Sequence, residues 1–143
     1  MSELQTDAEV ERVARGMVAC ELPKDEWTHA AHFATTLWLL RHEPDALDRR
    51  LPGLIRAYNE SVGGVNNDNE GYHETITQAS LRAAADHLGR YPGDAPLSRV
   101  LADLLATPLG GSAWILEHWS RERLFSVEAR RGWVEPDLRP LPF

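Results

Sequence analysis

Cysteine and long apolar runs are nearly missing from this chain of 143 residues. The single cysteine, Cys20, excludes an internal disulfide, which is usual for proteins of the reducing cytoplasm. No apolar stretch approaches the roughly 20 residues that a transmembrane helix needs. The acidic N-terminus, MSELQTDAEVERV, also lacks the apolar core of a secretion signal. These absences predict a cytoplasmic protein without a membrane partner.

Positive charge is also scarce, because 15 Lys and Arg residues stand against 22 Asp and Glu residues. Lys24 is the only lysine, and the formal net charge is −7. Since non-specific nucleic-acid binding needs clustered positive charge, we expect no nucleic-acid partner. The glycine-rich signatures of dinucleotide and nucleotide-phosphate loops are absent as well.

What is present is a chain of single-domain length in which 43% of the residues are hydrophobic, so residues 1–143 are expected to form one domain. Helix signals dominate, with Thr6 and Thr28 as N-cap candidates and no strand-like alternation of useful length. Pro52 is expected to kink or split the third helix. The predicted helices cover about residues 7–20, 28–42, 44–62, 72–89, 96–106 and 112–119. The predicted fold class is all-α, a four-helix-type bundle with additional short C-terminal helices.

Two histidines three residues apart are the first sign of chemistry, in the stretch WTHAAHF. Spacing of i and i+3 places His29 and His32 on one helix face, near the mouth of the predicted bundle. Neutral imidazoles in that arrangement are suitable ligands for one metal ion. The same spacing also arises from packing and capping, and it also suits direct contact with a substrate.

The stretch GYHETIT adds a third histidine beside a carboxylate. If His73 lies on the first turn of the fourth helix, Thr77 shares its face one turn later. Together His29, His32 and His73 would form a three-histidine site for zinc, manganese or nickel, with an open position for water. Glu26, Glu70 or Glu74 would then serve as a general base or a fourth ligand. Without a metal, His73 and Glu74 would act as the acid and base on a bound organic molecule.

Three further residues are candidates for ligand binding. Tyr72 offers a hydrogen-bond donor and Thr77 a small polar group facing the predicted cavity. Arg121, in the run EHWSRERLF, would hold a carboxylate or phosphate bidentately. A surface salt-bridge network is the alternative role for this arginine.

Two classes of function remain open from these residues. One is a histidine-rich pocket that binds a divalent metal or a small polar molecule and supports hydrolysis or proton transfer. The other is a non-catalytic helical protein that forms a homodimer or binds a partner, with the histidines as a structural network. The second helix favours the latter class, because Trp38 is flanked by leucines and an all-round apolar helix needs cover on every side.

The motifs EWTHxxH, YNE, GYHETxT and SRERLFSxEAR, at Glu26–His32, Tyr58–Glu60, Gly71–Thr77 and Ser120–Arg130, resemble a family of small bacterial proteins of unknown function. The resemblance covers about residues 20–138 and implies an all-α domain. The chain is more loosely similar to the DinB-like four-helix bundles, which bind a metal through three histidines. In those bundles the paired histidines follow the single one along the chain, whereas here the pair comes first.

Overall fold

The computed structural model describes residues 4–143, which form helices and connecting segments without any strand. Residues 1–3, part of the acidic segment judged not to be a secretion signal, lie outside the described range. The α-helices are α1 Asp7–Val18, α2 His29–His42, α3 Leu47–Ser61, α4 Glu74–Leu88, α5 Leu97–Leu105, α6 Arg121–Leu124 and α7 Val127–Arg131. Short 3-10 segments cover Lys24–Glu26, Pro108–Gly110 and Trp114–Glu117. The predicted all-α class is therefore confirmed.

Helix α2 lies at the centre of the helical packing, where it contacts α1, α4 and α5. Its side chains from Thr35 to Leu39 are all buried, which is why apolar residues occur on every side of it. The apolarity of this helix, including Trp38, is thus covered by the chain itself. It gives no support to the predicted partner-binding surface.

The N-terminal caps are those that the sequence predicts. The Thr6 hydroxyl accepts from the Glu9 amide at 3.1 Å, and the Thr28 hydroxyl accepts from the Ala31 amide at 3.1 Å. The first of these begins α1, and the second begins α2 at His29. The orientation of His29 and His32 therefore follows directly from a local capping signal.

Helix α3 continues through Pro52, so the predicted split into two pieces is wrong, and the alternative, a kink at Pro52, stays a prediction. Proline lacks an N–H, so the carbonyl of Asp48 has no partner within the helix. The side-chain amide of Gln78, on α4, donates to that carbonyl at 3.0 Å. A hydrogen bond from a neighbouring helix thus replaces the missing one.

The prediction of a sixth α-helix at about residues 112–119 is wrong, because residues 114–117 form only a 3-10 turn. Its N-cap position is Ala113, which cannot accept a hydrogen bond through its side chain, and Ser112 does not cap it. Ser120 then caps α6 through the amide of Arg123. Helix α7 packs on α4 and joins the C-terminal third to the bundle. Among the described helices, none is both long and apolar enough to cross a membrane.

Candidate functional site

His32 lies in the wall between two adjoining cavities at one end of α2 and α4. The first cavity has a volume of about 470 Å³ and the second about 280 Å³. Both are lined by Trp27, His32 and Ile76, so a molecule in either cavity meets the same imidazole. Volumes of this order suit a small organic molecule.

The His32 ring is half-buried and makes no hydrogen bond through either nitrogen to any residue from 4 to 143. Its ring lies 5.3 Å from the Trp27 ring and 6.4 Å from the Phe33 ring, measured between centroids. Burial among these groups, and to a lesser extent the nearby His29, lowers the pKa of His32 to about 4. At neutral pH the ring is uncharged and offers one donor and one acceptor.

His73 is buried, with 7% of its surface exposed, and both of its ring nitrogens are engaged. Its Nδ1 accepts from the Ile76 amide at 3.2 Å, and its Nε2 donates to the Leu124 carbonyl at 2.6 Å. The residue is the N-cap of α4 and has an extended backbone, so it lies before the helix and not on its first turn. Burial, assisted by the charge of Arg130, lowers the pKa of His73. The ring is a neutral structural link.

His29 faces a different cavity from His73. Its Nε2 donates to the main-chain oxygen of Leu109 at 2.7 Å, and its ring packs edge-on against Phe33. It lines the second cavity, whereas His73 lines the first. Only His32 is shared by both, so the three imidazoles do not surround one point.

The described residues do not fit the predicted three-histidine metal centre. A metal ligand needs an imidazole lone pair, and the only lone pair of neutral His73 already accepts the Ile76 amide. Within residues 4–143, no group of three or more His, Cys, Asp or Glu side chains is placed to hold a metal ion. The predicted binding of zinc, manganese or nickel stays a prediction, without support from the arrangement of these three histidines.

Tyr72 and Glu74 are hydrogen-bonded to each other, so they are not two independent groups of the site. The Tyr72 hydroxyl donates a short hydrogen bond to Glu74 Oε1, and Glu74 Oε2 accepts from Gln78 at 3.4 Å. Burial first, and then the bond to Glu74, raise the pKa of Tyr72 above that of a free phenol. Tyr72 lines the first cavity, but Glu74 lines neither cavity. The carboxylate therefore positions the phenol, which is a different role from the predicted catalytic one.

Of the remaining predicted ligand-binding residues, Thr77 lines a cavity and Arg121 does not. Thr77 is buried and lines the first cavity, and Ser80, one helical turn further on, lines the second. The small polar face predicted for α4 therefore opens onto the cavities. Arg121 is exposed near the C-terminal end of the chain and lines neither cavity, so the structure does not bring it to the histidines.

Several cavity residues escaped the sequence-based prediction, although Glu70 was an alternative to Glu74 as a ligand or base. The first cavity is also lined by Lys24 and Asn59 and by the loop between α3 and α4, which contributes Val65 and Glu70. Trp27 carried a signal, because it directly precedes the Thr28 cap and so lies beside the first turn of α2. The others come together only through long-range packing, for which the local pattern held no signal.

Asn66 is one of the side chains that hold this loop. Asn66 Oδ1 accepts from the Tyr72 amide at 2.9 Å and from the Asn59 side chain at 3.1 Å. Gly63 and Gly71 bracket the loop with φ of +88° and +84°, a backbone region that glycine enters most easily. At Gly71 a Cβ atom would lie 2.0 Å from the Val65 carbonyl oxygen. These bonds and the two glycines determine the path of the loop that lines the first cavity.

In comparisons with known proteins, no family model, no curated protein and no solved structure matches this chain. The resemblance to small bacterial proteins of unknown function, and the looser one to DinB-like bundles, therefore stay predictions. What can be said of function depends on the geometry of the described residues.

Proposed function

We propose that the protein binds a small, neutral or weakly polar organic molecule around His32. The observation that carries this proposal is the state of that ring: uncharged, half-buried, without a hydrogen-bonding partner among residues 4–143, and bordering two cavities. The two ring nitrogens are not among the buried, unpaired side-chain atoms of the described residues, so they remain open to solvent. A ligand in either cavity can therefore bond to His32 in place of water.

The lining of the two cavities favours a molecule with two different ends. The second cavity presents the aromatic side chains of Trp27, Phe33 and Trp114, which suit a flat apolar group. The first cavity adds the buried Thr77 and the half-buried Asn59, whose polar side chains suit hydrogen-bonding groups. His32 lies between these two regions and would contact the centre of the molecule.

Binding has better support than catalysis. A general base works best when its pKa lies near the working pH, and the pKa of His32, about 4, makes it a weak base at neutrality. Both ring nitrogens of His73 are hydrogen-bonded, and Glu74 lines neither cavity. These contacts favour binding at His32, and the acid and base roles of His73 and Glu74 stay a prediction.

A fragment screen by ligand-observed NMR tests this proposal. The probe is a library of small aromatic amides, alcohols and heterocycles, applied to the wild type and to His32→Leu. We expect hits that bind the wild type and are lost or weakened about tenfold in the variant, because one buried hydrogen bond is worth about 1 kcal/mol or more. The matched control is His42→Leu, since His42 is exposed and lines neither cavity.

Two outcomes would contradict the proposal. One is a screen with no hits for the folded wild type. The other is a set of hits that bind His32→Leu as tightly as the wild type and His42→Leu, which would place binding away from His32.

A further inference from the structure

A smaller cavity, lined in part by Tyr72, has no part in the proposed function. We call it the arginine recess; its volume is about 140 Å³. It is lined by Arg56, Asn66, Asn67, Asp68, Tyr72, Arg130 and Arg131. Three guanidinium groups and one carboxylate in one recess give a local excess of positive charge, in a chain whose net charge is −7.

Two of the three arginines have no carboxylate partner among the described residues. Arg56 stacks over the ring of Tyr72, with its guanidinium carbon 4.6 Å from the ring centroid. Arg130 donates through Nη1 to the main-chain oxygens of Gly71 and Tyr72, at 2.9 and 3.2 Å. Stacking leaves the edge of the Arg56 guanidinium free to donate, and the Nε and Nη2 of Arg130 are also unused.

The carboxylate and amide oxygens that line the recess, in contrast, all accept hydrogen bonds. Both carboxylate oxygens of Asp68 accept from Arg131, at 2.8 and 2.7 Å. Asn66 Oδ1 accepts from a side-chain amide of α3 and from the Tyr72 amide. Asn67 Oδ1 accepts from two main-chain amides of its own loop. The hydrogen-bonding capacity that remains is therefore almost entirely donor capacity, and the matching ligand carries acceptors only.

The positive charges of Arg130 and Arg131 shift the pKa values of neighbouring groups. Arg131 chiefly, and Arg130 more weakly, hold the pKa of Asp68 below its ordinary value. The charge of Arg130 also adds to burial in lowering the pKa of His73. A site that stabilises carboxylates and disfavours added protons is one that favours an anion.

We propose that the arginine recess binds a small tetrahedral oxyanion, phosphate or sulfate, either free or as the terminal group of a metabolite. Guanidinium groups match the geometry of such oxygens and donate to them in pairs. The recess holds the volume of about four or five waters, which is enough for one such group and too little for a nucleotide.

Calorimetric titration with inorganic phosphate tests the site in the full chain, with ionic strength held constant by potassium chloride. We expect saturable one-to-one binding that Arg56→Gln weakens about tenfold or more, because charge-assisted hydrogen bonds are the strong ones. Arg56 is exposed, so this variant keeps the fold. The control is Arg82→Gln: Arg82 also stacks on an aromatic ring, 4.1 Å from the Trp133 centroid, but lies outside the recess.

Parallel titrations with sulfate and with glycerol phosphate separate the two sources of the anion. Equal or tighter binding of glycerol phosphate would identify the terminal group of a metabolite, and binding of the inorganic ions alone would identify a free anion. Either result supports the oxyanion site. The proposal is overturned if phosphate binds no better than chloride, or if Arg56→Gln binds phosphate as well as the wild type and Arg82→Gln do.

Discussion

His73 and Leu124 are joined by a 2.6 Å hydrogen bond from the Nε2 of the ring to the main-chain oxygen. Because Nδ1 of the same ring caps α4 through the Ile76 amide, one imidazole links the start of α4 to the end of α6. The bond ties the C-terminal third of the chain to the bundle. It also gives this histidine a structural role where the sequence predicted a metal ligand and a catalyst.

Substitution of His73 should therefore lower stability. We expect His73→Ala to reduce the free energy of unfolding by about 2–3 kcal/mol, since the variant loses a cap and leaves the Leu124 carbonyl without a partner. His73→Asn should recover about 1 kcal/mol of this, because asparagine also caps helices. Urea denaturation of the three proteins measures both differences. A change below about 0.5 kcal/mol for His73→Ala would be typical of an unimportant surface site and would contradict the structural role.

Stability should also fall on mild acidification. The pKa of His32 is about 4 in the folded chain against 6.5 for an unperturbed imidazole, so the unfolded state binds more protons below pH 6.5. The contribution of neutral His32 to the free energy of unfolding is complete above pH 6.5 and is lost as the pH falls towards 4. The total loss has a limit of about 3 kcal/mol. His73, whose pKa is also lowered, acts in the same direction.

Urea denaturation at several pH values between 7 and 4 measures this loss. His32→Leu should flatten the dependence in this window, whereas His42→Leu should leave it as in the wild type. An unchanged slope in His32→Leu would show that His32 has an ordinary pKa.

The two glycines that bracket the α3–α4 loop should differ in their response to alanine. A Cβ atom added at Gly63 would meet only open space, so Gly63→Ala should cost only the roughly 1–2 kcal/mol of a left-handed residue. Gly71→Ala brings Cβ against the Val65 carbonyl and should cost about 3 kcal/mol or more. Thermal unfolding of both variants gives the comparison. Equal losses would mean that the loop rearranges freely at Gly71.

Zinc, manganese and nickel, the metals predicted from the sequence, should not bind through His73. We expect that any thermal shift produced by these ions in tag-free protein is the same in the wild type and in His73→Asn, which retains the cap. Elemental analysis of the purified protein gives the stoichiometry. One metal per chain in the wild type and none in His73→Asn would restore the predicted histidine centre.

The sequence predicted the fold well where the signal was local. The hydroxyls of Thr6 and Thr28 begin α1 and α2 as their spacing indicates. The continuity of α3 through Pro52 was not predictable. The Asp48 carbonyl, which Pro52 leaves without a donor, accepts a hydrogen bond from Gln78, 30 residues away in sequence. The prediction of an α-helix at Trp114 was wrong for a local reason, because Ala113 and not Ser112 occupies the N-cap position.

The candidate site was predictable only in part. Capping at Thr28 placed His32 correctly near an inward face, but helical periodicity could not assign His29 and His73 to different cavities. The prediction for His73 assumed that it belonged to α4, whereas its φ of −134° and ψ of 110° place it before the helix. The spacing rule for helix faces therefore did not apply to its side chain. Its partner Leu124 lies 51 residues away, beyond any local pattern.

The most direct test of ligand binding at His32 is ¹⁵N NMR of the histidine side chains, recorded without and with a fragment identified by the screen. We predict that His32 is neutral at pH 7 and that the fragment moves its ring-nitrogen signals, while those of His73 stay in place. A His32 ring that is charged at pH 7, or that does not respond to any bound fragment, would contradict the proposed site.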